Sequence, residues 1–591
     1  MTYRAPVKDM LFVMKELAGI DAVAQLPGHE DAGYETAAAV LEECARFTED
    51  VVAPLNWEGD KNPSYFRDGQ VFTTPGFKEA FKRYAEGGWQ GLQHPADFGG
   101  QGLPKLIHSA CSEMVNSANM SFALCPLLTD GAVEALLTAG TEDQQQTYIP
   151  KMLDGTWTGS MNLTEPQAGS DLSLVRTRAE PQPDGTYRLF GTKIFITYGE
   201  HDMAENIVHL VLARVIGAPE GVKGISLFIC PKVLADGTRN DVHCVSIEHK
   251  MGIKASPTAV LQYGDNGGAV ATLIGQENRG LEYMFIMMNA ARYGVGIQGI
   301  GLAERAYQKA VGYARDRVQS RPVDGSLNKA APIIHHPDVR RMLMTMRAWT
   351  EGCRAMAYVG ASAFDAAHQH PDAEVRAQNQ AFYEFLVPLI KGLSTEMSLE
   401  VASLGVQVHG GMGFIEETGA AQHLRDAKIL TIYEGTTAIQ ANDLVGRKTA
   451  RDGGRTAQAI AAQIEATEGE LKARPSAACQ ALAARLAAAR KAWLDSVSFV
   501  VGQSKGSPNA VFAGSVPYLM LSGTVVAGWQ MARALIKAED ALARGEDADF
   551  MRAKITTARF FADHILVRAV SWRDSIVDGA DSVTELALEA F

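Results

Sequence analysis

The sequence predicts an α+β protein: a helical N-terminal domain, a central β-barrel or sandwich domain, a helical bundle, and a C-terminal helical extension, in that order. Three observations carry this reading. Apolar residues recur at helical spacing from about Asp31 to Leu153. Between about Gly159 and Gly275 short runs rich in β-branched residues replace that texture, separated by turn signals. Helical spacing then returns and lasts to the end of the chain. Because the strands form one block and do not alternate with helices, the parallel α/β folds are excluded on topology.

The N-terminal domain, residues 1–158, holds the amphipathic runs AAAVLEECARF, FKEAFKRYAEGGW and AVEALLTAG, broken by the Pro/Gly loop His94 to Pro104. The β domain, 159–275, contains YRLFGTKIFIT, NIVHLVLARV, GISLFIC and AVLQYG, bounded by DG, GE, EG and GDN turns. The bundle, 276–447, begins with LEYMFIMMNAARYGVGIQGIGLAERAYQKAVGYARDR and continues through PDVRRMLMTMRAWTEGCRAMAYV and YEFLVPLIKGLSTEMSLEVASLG. A charged, Gly-containing link near 447–458 leads into the Ala-rich extension, 448–591. Its most apolar stretch, Val516 to Ile536, is interrupted by Pro517, Ser522, Thr524, Gln530 and Arg533, which predicts a buried helix and not a membrane span. Gly294 to Gly299 matches GxGxxG, yet no strand precedes it. The dinucleotide reading therefore lacks its context, and close packing of two helices is the expectation.

The chain of 591 residues is 47% hydrophobic and 21% charged, the composition of a globular protein of several domains. A net charge of −13 repels phosphate backbones and anionic head groups, so neither nucleic acid nor membrane is an expected partner. Seven scattered cysteines with no CxxC pair read as thiols in a reducing compartment. The N-terminal stretch has no apolar core followed by a cleavage site, and together these predict a cytoplasmic protein. His335-His336 and His368 to His370 lack a carboxylate or Cys at ligand spacing, so no metal site is expected.

The chemistry concentrates at Ile432-Tyr433-Glu434-Gly435-Thr436-Thr437. Apolar neighbours Ile429, Leu430, Ile432 and Tyr433 precede a Gly-Thr-Thr turn and a short helix. A carboxylate desolvated there has a raised pKa and serves as a proton acceptor. The same residues also allow a structural role, in which Glu434 only complements the helix dipole.

Six colinear segments bear on that choice: GTEDQQQTYIPKMLDGTW (140–157), MNLTEPQAGSDL (161–172), KIFIT (193–197), KMGIKASPT (250–258), GVQVHGGMGF (405–414) and LRDAKILTIYEGTTAIQ (424–440). In order and content they resemble the successive signatures of the acyl-CoA dehydrogenases, over about residues 30 to 447. The resemblance implies a FAD-dependent enzyme in which Glu434 removes the α-proton of an acyl-CoA thioester while the β-hydride passes to flavin N5. It also implies an oxyanion arrangement that uses the Glu434 backbone N–H, with Arg292, Tyr433 and Gly435 at the substrate. Some relatives place the base immediately before an arginine that matches Arg292; here that residue is Ala291, which cannot act as a base.

By the same resemblance, Leu163, Thr164 and Ser170 line the flavin and its pyrophosphate, and Ile196 and Thr197 lie against the ring. Phe195 stands where many relatives have Trp. Arg317 and Gln319 align with contacts to the FAD of a neighbouring subunit, although Ser320 departs from the family's aromatic position. Gln407, Gly410 and Gly411 fit the adenine and pyrophosphate end, with Thr436 beside them. Met284, Met287 and Met288 read as a core or acyl-pocket stripe.

The extension resembles that of a long bacterial branch. Its members oxidise fatty acyl-CoAs, or convert 3-methylmercaptopropionyl-CoA to 3-methylthioacryloyl-CoA in dimethylsulfoniopropionate breakdown. The thioether substrate is the reading adopted, with a short- or medium-chain fatty acyl-CoA as the alternative. The resemblance further implies a homodimer and an electron-transfer flavoprotein as electron acceptor. An oxidase, a nucleic-acid-binding flavoprotein and a non-catalytic protein of the same fold are the rival classes.

Overall fold

The computed structural model describes residues 2–591. By their contacts these form two compact units, one of residues 2–46, 104–117 and 295–591, the other of Phe47–Leu103 and Ala118–Gly294.

Among the described residues, all the strands lie in the second unit. A hairpin, β1 (Tyr65–Arg67) and β2 (Gln70–Phe72), precedes the eight strands of the main sheet. These are β3 (Trp157–Asn162), β4 (Arg178–Pro181), β5 (Tyr187–Thr197), β6 (Asn206–Val215), β7 (Ser226–Pro231), β8 (Val242–Ile247), β9 (Thr258–Tyr263) and β10 (Ala269–Ile274). The order β10-β7-β6-β4-β5 closes on itself because β10 also pairs with β5, which makes a barrel with β9 and β8 continuing beyond β5. Only β3–β6 and β4–β6 run parallel. The barrel follows from β5, whose eleven residues pair at one end with β4 and β10 and at the other with β9. Leu189, Val211, Phe228 and Leu261 fill its interior. On the outside, helix Met120–Ala139 lies so close to β3 that a Cβ on Gly159 would sit 2.5 Å from that of Ala132. Met284 and Met287 are fully buried in this second core, so the methionine stripe is at least core. The next helix, Glu142–Leu153, starts with a capping box in which Thr141 and Gln144 satisfy each other's backbone N–H.

The first unit is helical. Its long members are the C-terminal part of Gly280–Asp316, then Pro337–Gln369, Ala373–Val408, Ala477–Gln503 and Ser515–Ala543. The glycines of the GxGxxG run serve helix packing: a Cβ on Gly296 would lie 2.5 Å from Ile390 Cγ2, and one on Gly299 2.6 Å from the Ser394 carbonyl oxygen. Only a residue without a side chain lets helices Gly280–Asp316 and Ala373–Val408 approach this closely. The extension joins the same core, for Leu519 of Ser515–Ala543 seats on Gly392. Two helices, Met120–Ala139 and Ser515–Ala543, are long and apolar enough to cross a membrane, and their apolar windows are 83% and 89% buried within the protein.

A buried ionic cluster ties five parts of this unit together. The Arg354 guanidinium donates to Asp9 at 2.8 Å, to Glu113 at 2.6 Å and to Glu304 at 2.8 Å, and Tyr358 donates to Glu113 at 2.6 Å. Lys554 of the extension bridges Asp9 and Glu351. The N-terminal arm, two bundle helices, Lys105–Ala118 and the extension thus share one network. Unpaired, each of these charges would carry a desolvation penalty of several kcal/mol.

Candidate active site

In the first unit the chain leaves the short 3₁₀ turn Ile429–Thr431 and enters helix Thr437–Asp443 through a tight loop. Tyr433 N–H donates back to the Ile429 carbonyl at 3.0 Å. Glu434 and Gly435 then adopt φ of 54° and 87°. Gly435 takes that conformation freely, but for glutamate the left-handed region costs roughly 1–2 kcal/mol. Thr436 is the N-cap, its hydroxyl accepting from Ile439 N–H at 3.2 Å. The helix start is therefore capped by Thr436, and Glu434 stands two residues outside it.

Several side chains hold the loop. Lys391 is completely buried and its ammonium donates to the carbonyls of Leu430 at 2.8 Å and Gly435 at 2.7 Å. Tyr433 donates through its hydroxyl to Gln298 Oε1. Thr437 donates to Glu396 at 2.6 Å, and Gln440 Nε2 donates to the Gly435 carbonyl at 3.3 Å. Burial, and next the negative charge of Glu434, push the Tyr433 phenol well above its ordinary pKa, so it stays a neutral donor. Glu434 itself is half-buried.

The same unit brings two other groups of sequence-chosen residues together. Tyr313 stacks on His409 with ring centroids 4.4 Å apart, which sets the end of helix Gly280–Asp316 beside the end of Ala373–Val408. Arg317 and Gln319 follow the first of these ends, and Gln407, Gly410 and Gly411 lie at the second. Arg317 and Gln319 are exposed on a strap whose backbone pairs with Ala331 and Ile333. His336 donates to the Gln319 carbonyl at 2.7 Å, so this histidine serves the strap. Gly410 has φ 59°, and a Cβ on Gly410 or Gly411 would meet nothing within 4 Å. Such an open glycine turn presents backbone to an anion such as a pyrophosphate.

In the second unit, Leu163, Thr164 and Ser170 lie on the loop after β3, fastened to β5. Ile194 N–H donates to the Thr164 carbonyl at 2.9 Å, and Lys193 donates to the Leu163 carbonyl and to Glu165, both at 2.9 Å. Pairing between β5 and β9 shifts register between Lys193 and Ile196, and Phe195 is thrown outward at φ 57° with 58% exposure. Ile196 points the other way, 2% exposed in the barrel core, so what it offers outward is backbone; Thr197 is half-buried. Arg292 is buried in the helix that follows the barrel, next to a buried Ala291. An exposed aromatic beside fastened loop carbonyls fits a flat ring system, and the open glycine turn of the other unit fits a pyrophosphate. Each element, taken by itself, suits its part of FAD.

The Glu165–Lys193 pair carries a prediction. Burial raises the Glu165 pKa, but the Lys193 charge and donors from Thr177 and Arg176 outweigh it and hold the carboxyl at about 2. Burial lowers the Lys193 ammonium to about 8 against the opposing pull of Glu165. Between the ordinary carboxyl value and about 2 the unfolded chain binds more protons, so the stability from Glu165 is present above about pH 4.5 and lost as pH falls towards 2. Glu165→Gln is expected to lower stability by about 3 kcal/mol at pH 7, with the deficit shrinking below about pH 4.5. Urea unfolding of both proteins at pH 7, 5 and 3.5 measures it; a deficit independent of pH would contradict this account.

Sequence reasoning did not single out Lys391, Gln298, Gln440, Glu396, Glu165 or Lys193. Lys391 left a trace, as the only charge inside the apolar run Phe385 to Leu393. Gln298 sat in the glycine run, where helix packing alone accounted for the pattern.

Comparison with known proteins bears on these elements. The acyl-CoA dehydrogenase N-terminal, middle and C-terminal domain families match residues 34–156, 160–265 and 278–448. A family described as acetyl-CoA dehydrogenase C-terminal like matches residues 457–587. A 3-methylmercaptopropionyl-CoA dehydrogenase of Ruegeria pomeroyi is 54% identical over 593 residues, covering 100% of each chain. A broad-specificity linear acyl-CoA dehydrogenase, FadE5, of Mycobacterium tuberculosis is 36% identical, again over 100% of each. Among solved structures, an acyl-CoA dehydrogenase from Bacillus anthracis complexed with FAD has a TM-score of 0.75 at 22% identity. That likeness covers 96% of this chain and 91% of the other, and it shows the fold.

Proposed function

The chain belongs to the acyl-CoA dehydrogenase family, and from that premise we propose that it oxidises 3-methylmercaptopropionyl-CoA to the 2-enoyl thioester with Glu434 as base. It is an oxidoreductase of the FAD-dependent kind. FAD, when bound, supplies the hydride acceptor; the rest of the chemistry falls to the chain. Leu163, Thr164 and Ser170, the backbone at Ile196 and Thr197, and the turn at Gln407, Gly410 and Gly411 would hold it. Thr436 would lie beside them, and Arg317 and Gln319 would reach the FAD of a second copy in a homodimer.

Proton removal next to a thioester carbonyl needs a base held at one place and a donor at the carbonyl oxygen. The Glu434 carboxylate takes the α-proton, and its own backbone N–H donates to the thioester oxygen. The Cβ–H bond breaks with its electron pair leaving, and the Cα=Cβ double bond forms. Tyr433 and Gly435 flank the base and shape the substrate's approach, and the resemblance gives Arg292 a part in substrate binding. The observation that carries this reading is the left-handed backbone of Glu434, a strained conformation anchored on both sides, which is how strain is kept at working residues. Identity of 54% along the full length supports the thioether substrate over a plain linear acyl chain, the reading favoured by the 36% relative. The electrons pass on to an electron-transfer flavoprotein, and seven buried cysteines, none of them in a disulfide, support a cytoplasmic location.

Anaerobic bleaching of the flavin with a panel of acyl-CoAs tests the proposal. 3-Methylmercaptopropionyl-CoA is expected to give the highest kcat/KM, above butyryl-CoA and octanoyl-CoA. A preference for octanoyl-CoA would assign the chain to linear fatty acyl substrates, and rapid oxygen consumption without an added acceptor would make it an oxidase.

A further inference from the structure

We propose that Lys391 is a positioning residue for the base, with Gln298 as its second anchor; this rests on the reading of Glu434 as the base. The argument starts from the cost of the arrangement. An ammonium with no solvent exposure is strongly disfavoured unless donors and acceptors are matched. Here two of its partners are the backbone carbonyls of Leu430 and Gly435, which bracket the segment carrying Tyr433 and Glu434. One cation thus fixes both ends of the six-residue span Leu430 to Gly435, whose next-to-last residue is the left-handed glutamate. Left to itself a non-glycine residue in that region relaxes towards the right-handed basin, and the carboxylate would swing with it.

Gln298 acts from another helix. Its side chain is fully buried, its Oε1 accepts from the Tyr433 hydroxyl, and its Nε2 has no hydrogen-bond partner. A buried amide that leaves one donor unused is a poor structural choice, and its oxygen is what holds the residue preceding the base. Lys391 lies on Ala373–Val408 and Gln298 on Gly280–Asp316, the two helices that the glycine contacts press together. The loop is therefore referenced to a rigid helix pair and does not depend on its own short turns.

The test uses the FAD-loaded enzyme, with butyryl-CoA and 3-methylmercaptopropionyl-CoA, each protiated and α-dideuterated. For Lys391→Met the expected result is kcat lower by about 100-fold, the loss typical of a displacement near 1 Å, with KM within about threefold of wild type. The α-deuterium isotope effect should rise, because proton transfer to a misplaced base becomes slower than the steps around it, while bound FAD per chain is unchanged. Gln298→Leu should move the same quantities in the same direction by less. A folded Lys391→Met enzyme with wild-type kcat overturns the proposal, as does a slow enzyme whose isotope effect is unchanged. If Lys391→Met yields no soluble protein, Gln298→Leu decides alone, and wild-type rate and isotope effect there overturn the proposal. Glu434→Gln run alongside separates the two readings. Wild-type rate in that variant removes the base assignment itself, whereas a slow Glu434→Gln beside normal Lys391 and Gln298 variants removes only the positioning role.

Discussion

Glu434→Gln is expected to slow flavin reduction by an acyl-CoA about 10³- to 10⁴-fold, with little change in thioester binding. The substitution is nearly isosteric. It retains the backbone N–H, the contacts of Lys391 with the Leu430 and Gly435 carbonyls, and the Thr436 cap. What disappears is the carboxylate lone pair that, on the proposed reading, receives the α-proton, and an amide is too weak a base to replace it. The loss should therefore fall on kcat and on kcat/KM alike. Anaerobic stopped-flow bleaching at saturating thioester measures the first, and titration of the flavin spectrum with the enoyl product measures binding. A variant that bleached at the wild-type rate would exclude Glu434 as the base. The removal of a negative charge should also let the Tyr433 phenol fall part of the way back, since Glu434 is the largest electrostatic contributor to its raised pKa after burial.

The second large effect is on stability. Arg354→Met should destabilise the protein by about 4–5 kcal/mol, enough to deplete soluble protein at 37 °C. Arg354 is 1% exposed and donates to Asp9, Glu113 and Glu304. Methionine fills much of the volume but leaves three buried carboxylates facing one another, with Lys554 within reach of Asp9 alone. Lysine would not substitute well, because one ammonium cannot reproduce a planar fork shared by three acceptors. Urea denaturation of Arg354→Met, followed by helical circular dichroism, checks the figure. A loss below about 1 kcal/mol would mean that the carboxylates are held neutral and that the cluster contributes little. Because Asp9 lies in the N-terminal arm and Lys554 in the extension, the same variant should expose both ends of the chain to protease earlier than the barrel.

How far all this was legible differs from residue to residue. The block of strands between Gly159 and Gly275 was visible because β-branched runs and turn dipeptides act locally, within a few residues of each other. The rejection of GxGxxG as a dinucleotide site was equally local, since a strand either precedes such a run or does not, and helix Gly280–Asp316 occupies the place. The reading of Val516 to Ile536 as a buried helix rested on its interrupting polar residues, and Ser515–Ala543 is such a helix. Ile196 shows the limit. As part of KIFIT it was chosen as a wall of the flavin site, while the register shift of β5 against β9 turns its side chain into the barrel and leaves Phe195 outward. A bulge of that kind depends on the partner strand, some 65 residues later, and no pattern within KIFIT encodes it.

The sequence by itself determined the fold class and the membership in a family of FAD-dependent acyl-CoA oxidoreductases, and its resemblance put Glu434 forward as the proposed base, because each depends on local periodicity or on short ordered segments. Tertiary structure alone decided what surrounds that glutamate. Around the left-handed Glu434, the Lys391 ammonium between the Leu430 and Gly435 carbonyls and the Gln298–Tyr433 hydrogen bond join residues 39 to 135 positions apart. The buried cluster around Arg354 spans Asp9 to Lys554. A charged residue in an apolar run signals that some partner exists, but the partner's identity is set by packing between distant helices, which no local pattern records.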